Sequence, residues 1–161
     1  MSAKAINKKY KELLFWAGLL AAAAAVVVLF AAWMLWPRPL AAEFNAERQF
    51  AASVTKQGVR DGKLWMDVSE QYELEGSTAL QEVLEGYSYH LCWDSLTGEN
   101  AIDGRGGTYE TLNLYNSGDE GLISNGTSRL ILNGRVVKVG YWGHGQGTAL
   151  NQELLAALRG E

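Results

Sequence analysis

The sequence predicts an α+β protein, in which a single N-terminal transmembrane helix is followed by a small antiparallel-sheet domain with flanking helices. Three observations predict it. Leu13 to Trp36 runs for 24 residues without a charge or a proline. Asn133-Gly134 sits between two short β-rich runs. Between Asp61-Gly62 and Gly143, strand-like alternation recurs between turn residues, with helical patterns before and after it. Runs of strands joined by turns, with helices at the ends, belong to antiparallel α+β folds.

The elements follow in chain order. Residues 1–12 form a basic stub, in which Lys4, Lys8, Lys9 and Lys11 face only one acid, Glu12. Residues 13–36 are expected to form the transmembrane helix. At 1.5 Å per residue it is about 36 Å long, enough to cross a hydrocarbon core of about 30 Å with some tilt. A helix suits that slab because it satisfies its own backbone polar groups. Trp16 lies toward one end of the run and Trp33 and Trp36 at the other, where amphipathic rings anchor in the headgroup layers. A cleaved signal peptide carries a much shorter apolar stretch of roughly 7–15 residues. The four lysines before the span place the N-terminus in the cytoplasm and the rest of the chain outside it. Ala17, Ala21 and Ala25 share one helical face, and small side chains of that kind permit close helix–helix packing in lipid.

Pro37-Arg38-Pro39 stops the helix and opens a linker over residues 37–40. Residues 41–161 are expected to form the extracytoplasmic domain. Its first stretch, 41–57, is alanine-rich, lacks Gly and Pro, and is followed by Gly58, which predicts a helix with a glycine stop. Lys63 to Leu74 alternates and predicts one or two strands. Thr78 to Gln81 has capping-box spacing, predicting a short helix before Gly86. Tyr87 to Trp93 alternates as a strand, with Tyr87, Tyr89, Leu91 and Trp93 on one face and Ser88, His90 and Cys92 on the other. Asp94 to Gly107 reads as loop, Thr108 to Tyr115 as strand, and residues 116–119 as a turn. Asn133-Gly134 meets the positive-φ demand of a type I′ turn, so residues 128–139 predict a hairpin whose second strand continues to Trp142. Residues 143–147 form a connector, and Thr148 caps a last helix with Leu150, Leu154, Leu155 and Leu158 on one face.

Charge bounds the function. From Arg38 onward there are ten basic and seventeen acidic residues, a net charge near −7. Such a domain repels phosphate backbones, which argues against nucleic acid as a partner. The one cysteine, Cys92, excludes a disulfide within the chain. Catalytic material is thin. His90 and Cys92 share a strand face, where a Cys–His pair can in principle make a thiolate nucleophile. Same-face neighbours are about 7 Å apart, however, and no third group is evident. With His144 they offer three metal ligands, without any of the usual paired spacings. No cofactor is expected. Asn125-Gly-Thr127 matches a glycosylation acceptor, a tripeptide common by chance.

Candidate binding residues are the aromatics and the histidine around the glycine-rich connector, Tyr141, Trp142 and His144, together with Trp93. Aromatic side chains are enriched at binding hot spots and equally at home in cores. The expected class is a membrane-tethered accessory or assembly subunit of a cell-envelope complex, its partners the protein subunits of that complex and the lipid bilayer. Two other classes fit less well. One is an anchored periplasmic enzyme using Cys92 and His90 or a metal. The other is a pilin-like structural subunit, whose cleavage signal is missing and whose spine Pro37 and Pro39 would interrupt.

Overall fold

The computed structural model describes residues 3–44, 49–74, 77–98, 107–116, 121–143 and 145–160, with side chains from Tyr10 onward. It divides into two units, Met1–Trp36 and Pro37–Glu161.

The first unit is one helix, α1 (Ala3–Leu35). Its stretch Tyr10–Leu35 is long and apolar enough to cross a membrane. Trp16 and Trp33 lie on it, Trp36 follows it, and all three are exposed. Ala17, Ala21 and Ala25 are exposed as well.

The second unit is α+β. Eight strands form one sheet among the described residues: β1 (Arg38–Pro39), β2 (Phe50–Arg60), β3 (Lys63–Leu74), β4 (Ser88–Leu91), β5 (Tyr109–Asn116), β6 (Gly121–Ser124), β7 (Arg129–Leu132) and β8 (Arg135–Val139). Their order is β1-β4-β8-β7-β6-β5-β2-β3. Every pair is antiparallel. A 3-10 turn (Leu40–Glu43) and three helices complete the unit: α2 (Thr78–Glu85), α3 (Trp93–Thr97) and α4 (Gly145–Arg159).

Register assigns the faces, because directly paired residues share a side of the sheet. One row runs Val54, Leu112 and Leu114 into Leu122, Leu132 and Leu130, then Val137 and Leu91. All of these are buried, as are Leu80 and Leu84 of α2 and Leu150, Leu154, Leu155 and Leu158 of α4. The four α4 leucines fall at the helical spacing that makes a single apolar stripe. Leu40 and Phe44 close this core, and the Leu40 N–H donates to the Tyr87 carbonyl at 3.0 Å.

The predicted hairpin at Asn133-Gly134 is present, with φ of 50° and 73° as a type I′ turn requires. A second turn of the same kind, Asp61 (φ 52°) and Gly62 (φ 71°), joins β2 to β3.

Several expectations are corrected. The described residues of 41–57 do not form the expected helix: Leu40–Glu43 make one 3-10 turn and Phe50–Arg60 are strand β2. Phe50, Ala52 and Val54 are buried while Ala51 is exposed, a period of two that outweighs the helix propensity of alanine. The cap of α2 is Ser77, whose hydroxyl accepts from the Leu80 N–H at 3.2 Å, and not Thr78. Part of the expected loop after Asp94 is helix α3, which begins one residue earlier. Strand β8 ends at Val139 instead of Trp142, because Gly140 turns the chain with φ of 74°. Helix α4 starts at Gly145, and the Thr148 hydroxyl inside it donates to the Gly126 carbonyl at 2.8 Å. Strands β1 and β6 were not predicted. The expected turn at 116–119 lies largely outside the described residues.

Candidate functional site

A cleft of about 520 Å³ lies beside β4. Its walls are the α2–β4 junction (Gly86, Tyr87), β4 itself (Ser88, Tyr89, His90), the bend after β8 (Gly140, Tyr141) and the first turns of α4 (Gly145, Gln146, Ala149), with Pro37 at the rim.

Local sequence builds these walls. Gly140 lets the chain leave β8 sharply, and a Cβ there would meet the Gln146 side chain at 2.8 Å. The bend lays Tyr141 flat on His90, with ring centroids 4.6 Å apart and planes 11° apart. His90 is 5% exposed. Burial, with the charges of Lys138 and Arg38, holds its pKa below the usual imidazole value. The two tyrosines beside it are shifted the other way. Tyr89 is pushed up to about 12 by burial and by donating its hydroxyl to Glu43 at 2.5 Å. Burial and a hydrogen bond to Glu153 push Tyr87 up to about 12 as well. Both phenols therefore remain protonated donors through the physiological range. Glu43 also accepts from the Asn133 amide at 3.1 Å, which ties the 3-10 turn to the β7–β8 hairpin.

The predicted site residues are divided by this arrangement. Tyr141 joins the cleft through His90 and is half exposed. Trp142 projects fully, at 92% exposure. Trp93 was expected on the face of a strand with Tyr89 and Leu91; it opens α3 instead and is 69% exposed. Tyr89 pairs with Val139 and Leu91 with Val137. Tyr141 and Trp93 therefore leave opposite ends of the β4–β8 pair and form no single aromatic patch. His144 lies outside the described residues.

Cys92 does not face His90 as a strand neighbour. It is the N-cap of α3, with Sγ 3.4 Å from the Ser95 hydroxyl and its own N–H donating to that hydroxyl at 2.9 Å. Ser95 in turn donates to the Val136 carbonyl. Among the described residues no group of three or more His, Cys, Asp or Glu is placed to hold a metal. Asn125 is 2% exposed, and its side-chain oxygen accepts from both the backbone N–H and the hydroxyl of Thr127, so in the folded domain this tripeptide is a buried turn.

Sequence reasoning missed a second surface. Strand β3 is the outer edge of the sheet and runs for 12 residues. Register places Val59, Leu64, Met66 and Val68 on one face of the β2–β3 hairpin, the face opposite the leucine row, and all four are exposed. On the same face Thr55, Gln57, Met66, Tyr109, Thr111 and Asn113 line a shallow depression of about 260 Å³. There the Gln57 amide donates to the Thr111 hydroxyl at 2.5 Å. The alternation of Leu64, Met66 and Val68 was the signal that could have found this surface. Comparison of the chain with protein-family models, curated proteins and solved structures finds no match.

Proposed function

We propose that the chain is a membrane-tethered accessory or assembly subunit of a cell-envelope protein complex, such as a secretion, conjugation, pilus or respiratory assembly, and that it works by protein–protein binding. The observation that carries this reading is the outer edge of β3. An edge strand presents unpaired backbone donors and acceptors, and folded proteins normally keep such edges short or heavily charged. This one is 12 residues long and carries the exposed Leu64, Met66 and Val68. An extended segment of a partner that adds to the sheet would hydrogen-bond to this edge and cover those side chains, as in strand-addition complexes.

The helix Tyr10–Leu35 supplies the tether. Confinement to a membrane raises the effective concentration of the domain for membrane-bound partners without any new contact. The lysines before the helix support a single pass through the inner membrane, with the N-terminus in the cytoplasm and residues 37–161 in the periplasm.

A photocrosslinking residue at Met66, in native membranes, tests the reading. The expected result is one or a few protein adducts, lost when Leu64 and Val68 are both replaced by Lys. Adducts to lipid only, or adducts unchanged by those replacements, would count against it. For the topology, a C-terminal reporter active only outside the cytoplasm should be active, and an inactive one would reverse the orientation.

A further inference from the structure

We infer, on the basis of the strand-addition reading above, that the strand taken up at the edge of β3 is β3 of a second copy of the chain, running antiparallel and centred on Trp65. The backbone fixes which residues can pair. Asp61 and Gly62 form the two-residue turn of the β2–β3 hairpin, so Arg60 and Lys63 on either side of it are a hydrogen-bonded pair. Hydrogen-bonded and non-hydrogen-bonded pairs alternate along an antiparallel ladder. The backbone groups of Lys63, Trp65 and Asp67 therefore turn toward β2, and those of Leu64, Met66 and Val68 turn outward. Among the described residues no strand takes them up.

A two-fold axis through one residue of this edge keeps every side chain on its own face, as pairing within one sheet demands. Charge and apolarity then select the centre. Centred on Asp67, the two carboxylates face each other, which is unfavourable on a sheet. Centred on Met66, Asp67 meets the Trp65 indole, and Lys63 meets the bulge at Ser69. Centred on Leu64, β3 overlaps its copy only over residues 63–65. Centred on Trp65, Lys63 of each copy falls opposite Asp67 of the other, and Leu64 falls opposite Met66, each twice by symmetry. Leu64 and Met66 then make the hydrogen-bonded pairs, and the two Trp65 residues make the close, non-hydrogen-bonded pair at the axis.

The hairpin itself makes this counter-charge useful. It sets Lys63 opposite Arg60, two like charges whose direct pairing costs stability, while Asp67 faces Lys56. Asp67 of the second copy brings the opposite charge to the Arg60–Lys63 pair. Lys63, Leu64, Met66 and Asp67 are all exposed, so the pairing takes none of them from a core. Each copy carries both halves of the match, which is the condition for an isologous contact. The long edge is used up in both copies, and the opposite edge of the sheet, β1, is only 2 residues long, so the assembly closes as a dimer. The contact is small beside a standard interface, and confinement to a membrane supplies the concentration that it needs.

Full-length chains bearing a donor or an acceptor dye at the C-terminus are reconstituted together in phospholipid vesicles, and energy transfer is followed as the protein-to-lipid ratio rises. Transfer in the wild type should saturate above that of random mixing. Lys63→Asp and Asp67→Lys should each weaken self-association about 10-fold, because both ion pairs become like-charge pairs. A mixture of Lys63→Asp donors with Asp67→Lys acceptors should restore wild-type transfer, as should a chain with both changes. Random transfer in the wild type overturns the inference. So does transfer indifferent to both changes, which places the contact elsewhere on the chain, and so does a loss that the mixture fails to restore. Should a charge variant be unfolded by circular dichroism, Trp65→Cys in a Cys92→Ser chain decides: oxidation to a disulfide-linked dimer supports the pairing, and a monomer overturns it. The photocrosslink at Met66 separates this inference from the reading beneath it. Adducts of twice the chain's mass support both. Adducts to other proteins alone overturn the second copy and leave strand addition standing, and no protein adduct removes both.

Discussion

At the β4–β8 end of the sheet, neighbouring residues are buried together: Tyr89, His90 and Leu91 on one strand, Val136 and Val137 on the next. Successive strand residues point to opposite faces, so both faces are covered there. The leucines of α2 and α4 cover one. On the other, α3 packs against β8, and Asp94 pairs at 3.0 Å with Arg129, which lies on the row of His90 and Lys138. At the other end the cover stops at β2, whose Phe50, Ala52 and Val54 are still buried, and β3 is bare. No residue of β3 is buried, and among the described residues its outer edge has no neighbour. What blunts that edge is modest: the charges of Lys63, Asp67 and Glu73, and a bulge at Ser69, whose hydroxyl donates to the Val54 carbonyl at 3.1 Å. Hydrogen-bonded pairing alone therefore does not make a core. One end is finished by helices of the chain, and the other carries the exposed apolar side chains Val59, Leu64, Met66 and Val68.

The contrast is broken most directly by truncating side chains on its two sides. Leu112 and Leu154 are fully buried, and either change to Ala should cost about 2–5 kcal/mol through lost transfer energy and a residual cavity. Thermal unfolding of the full chain in detergent, followed by near-ultraviolet circular dichroism, measures it. A cost below about 1 kcal/mol would mean that the leucine row is not the core. Next in size is Gly147→Ala. Gly147 is the third residue of α4 and is buried, and a Cβ there would sit 1.8 Å from the Thr127 carbonyl oxygen. Backbone must move to admit it, at a cost of about 1–3 kcal/mol. An unchanged melting temperature would show that α4 does not dock on the turn at 125–128.

How much of this was legible in the sequence follows from the same contrast. Where local signal and tertiary packing agree, the reading holds. Asn133-Gly134 has only one comfortable hairpin geometry, and the α4 leucines repeat at helical spacing. Residues 41–57 went the other way. Alanine favours helix by a few tenths of a kcal/mol per residue, and pairing with both β3 and β5 outweighs so small a preference. The Asp61-Gly62 turn was as strong a signal as Asn133-Gly134, but the preceding alanines hid the strand that it joins. The cleft was not legible at all. It depends on Gly140 folding Tyr141 back over His90, and on α4 beginning at Gly145, neither of which is marked by a local motif.

A third test addresses the link between the two ends. Arg159, at the end of α4, donates to Glu70 of β3 at 2.8 and 3.0 Å and to Glu110 of β5 at 3.1 Å. These groups are partly exposed, so Arg159→Gln should cost only about 0.5–1 kcal/mol, less at high salt. Acid unfolding sharpens the point. His90 has a lowered pKa, so its neutral form is favoured by folding, and that contribution is lost as the pH falls below the ordinary value of 6.5. Glu70 is also lowered, by its hydrogen bond from Arg159 and then that from Tyr72, so its contribution is present above the ordinary 4.5 and lost below it. The covered end should thus lose stability before the bare end as pH drops. His90→Gln should remove the first loss and Arg159→Gln the second. A single acid transition insensitive to both substitutions would contradict the assignment.

The smallest expected change in stability tests the bare end most sharply. Met66 is exposed, and Met66→Lys removes no buried area from the isolated chain. Surface substitutions of this kind usually lie within about 0.5 kcal/mol. The melting temperature should therefore stay put while capture of a partner strand falls, because a lysine facing the incoming segment must be desolvated without a counter-charge. If Met66→Lys instead destabilised the chain by more than about 1 kcal/mol, the hairpin face would already be covered within one molecule. The edge of β3 would then be part of a core and no longer a surface awaiting a partner.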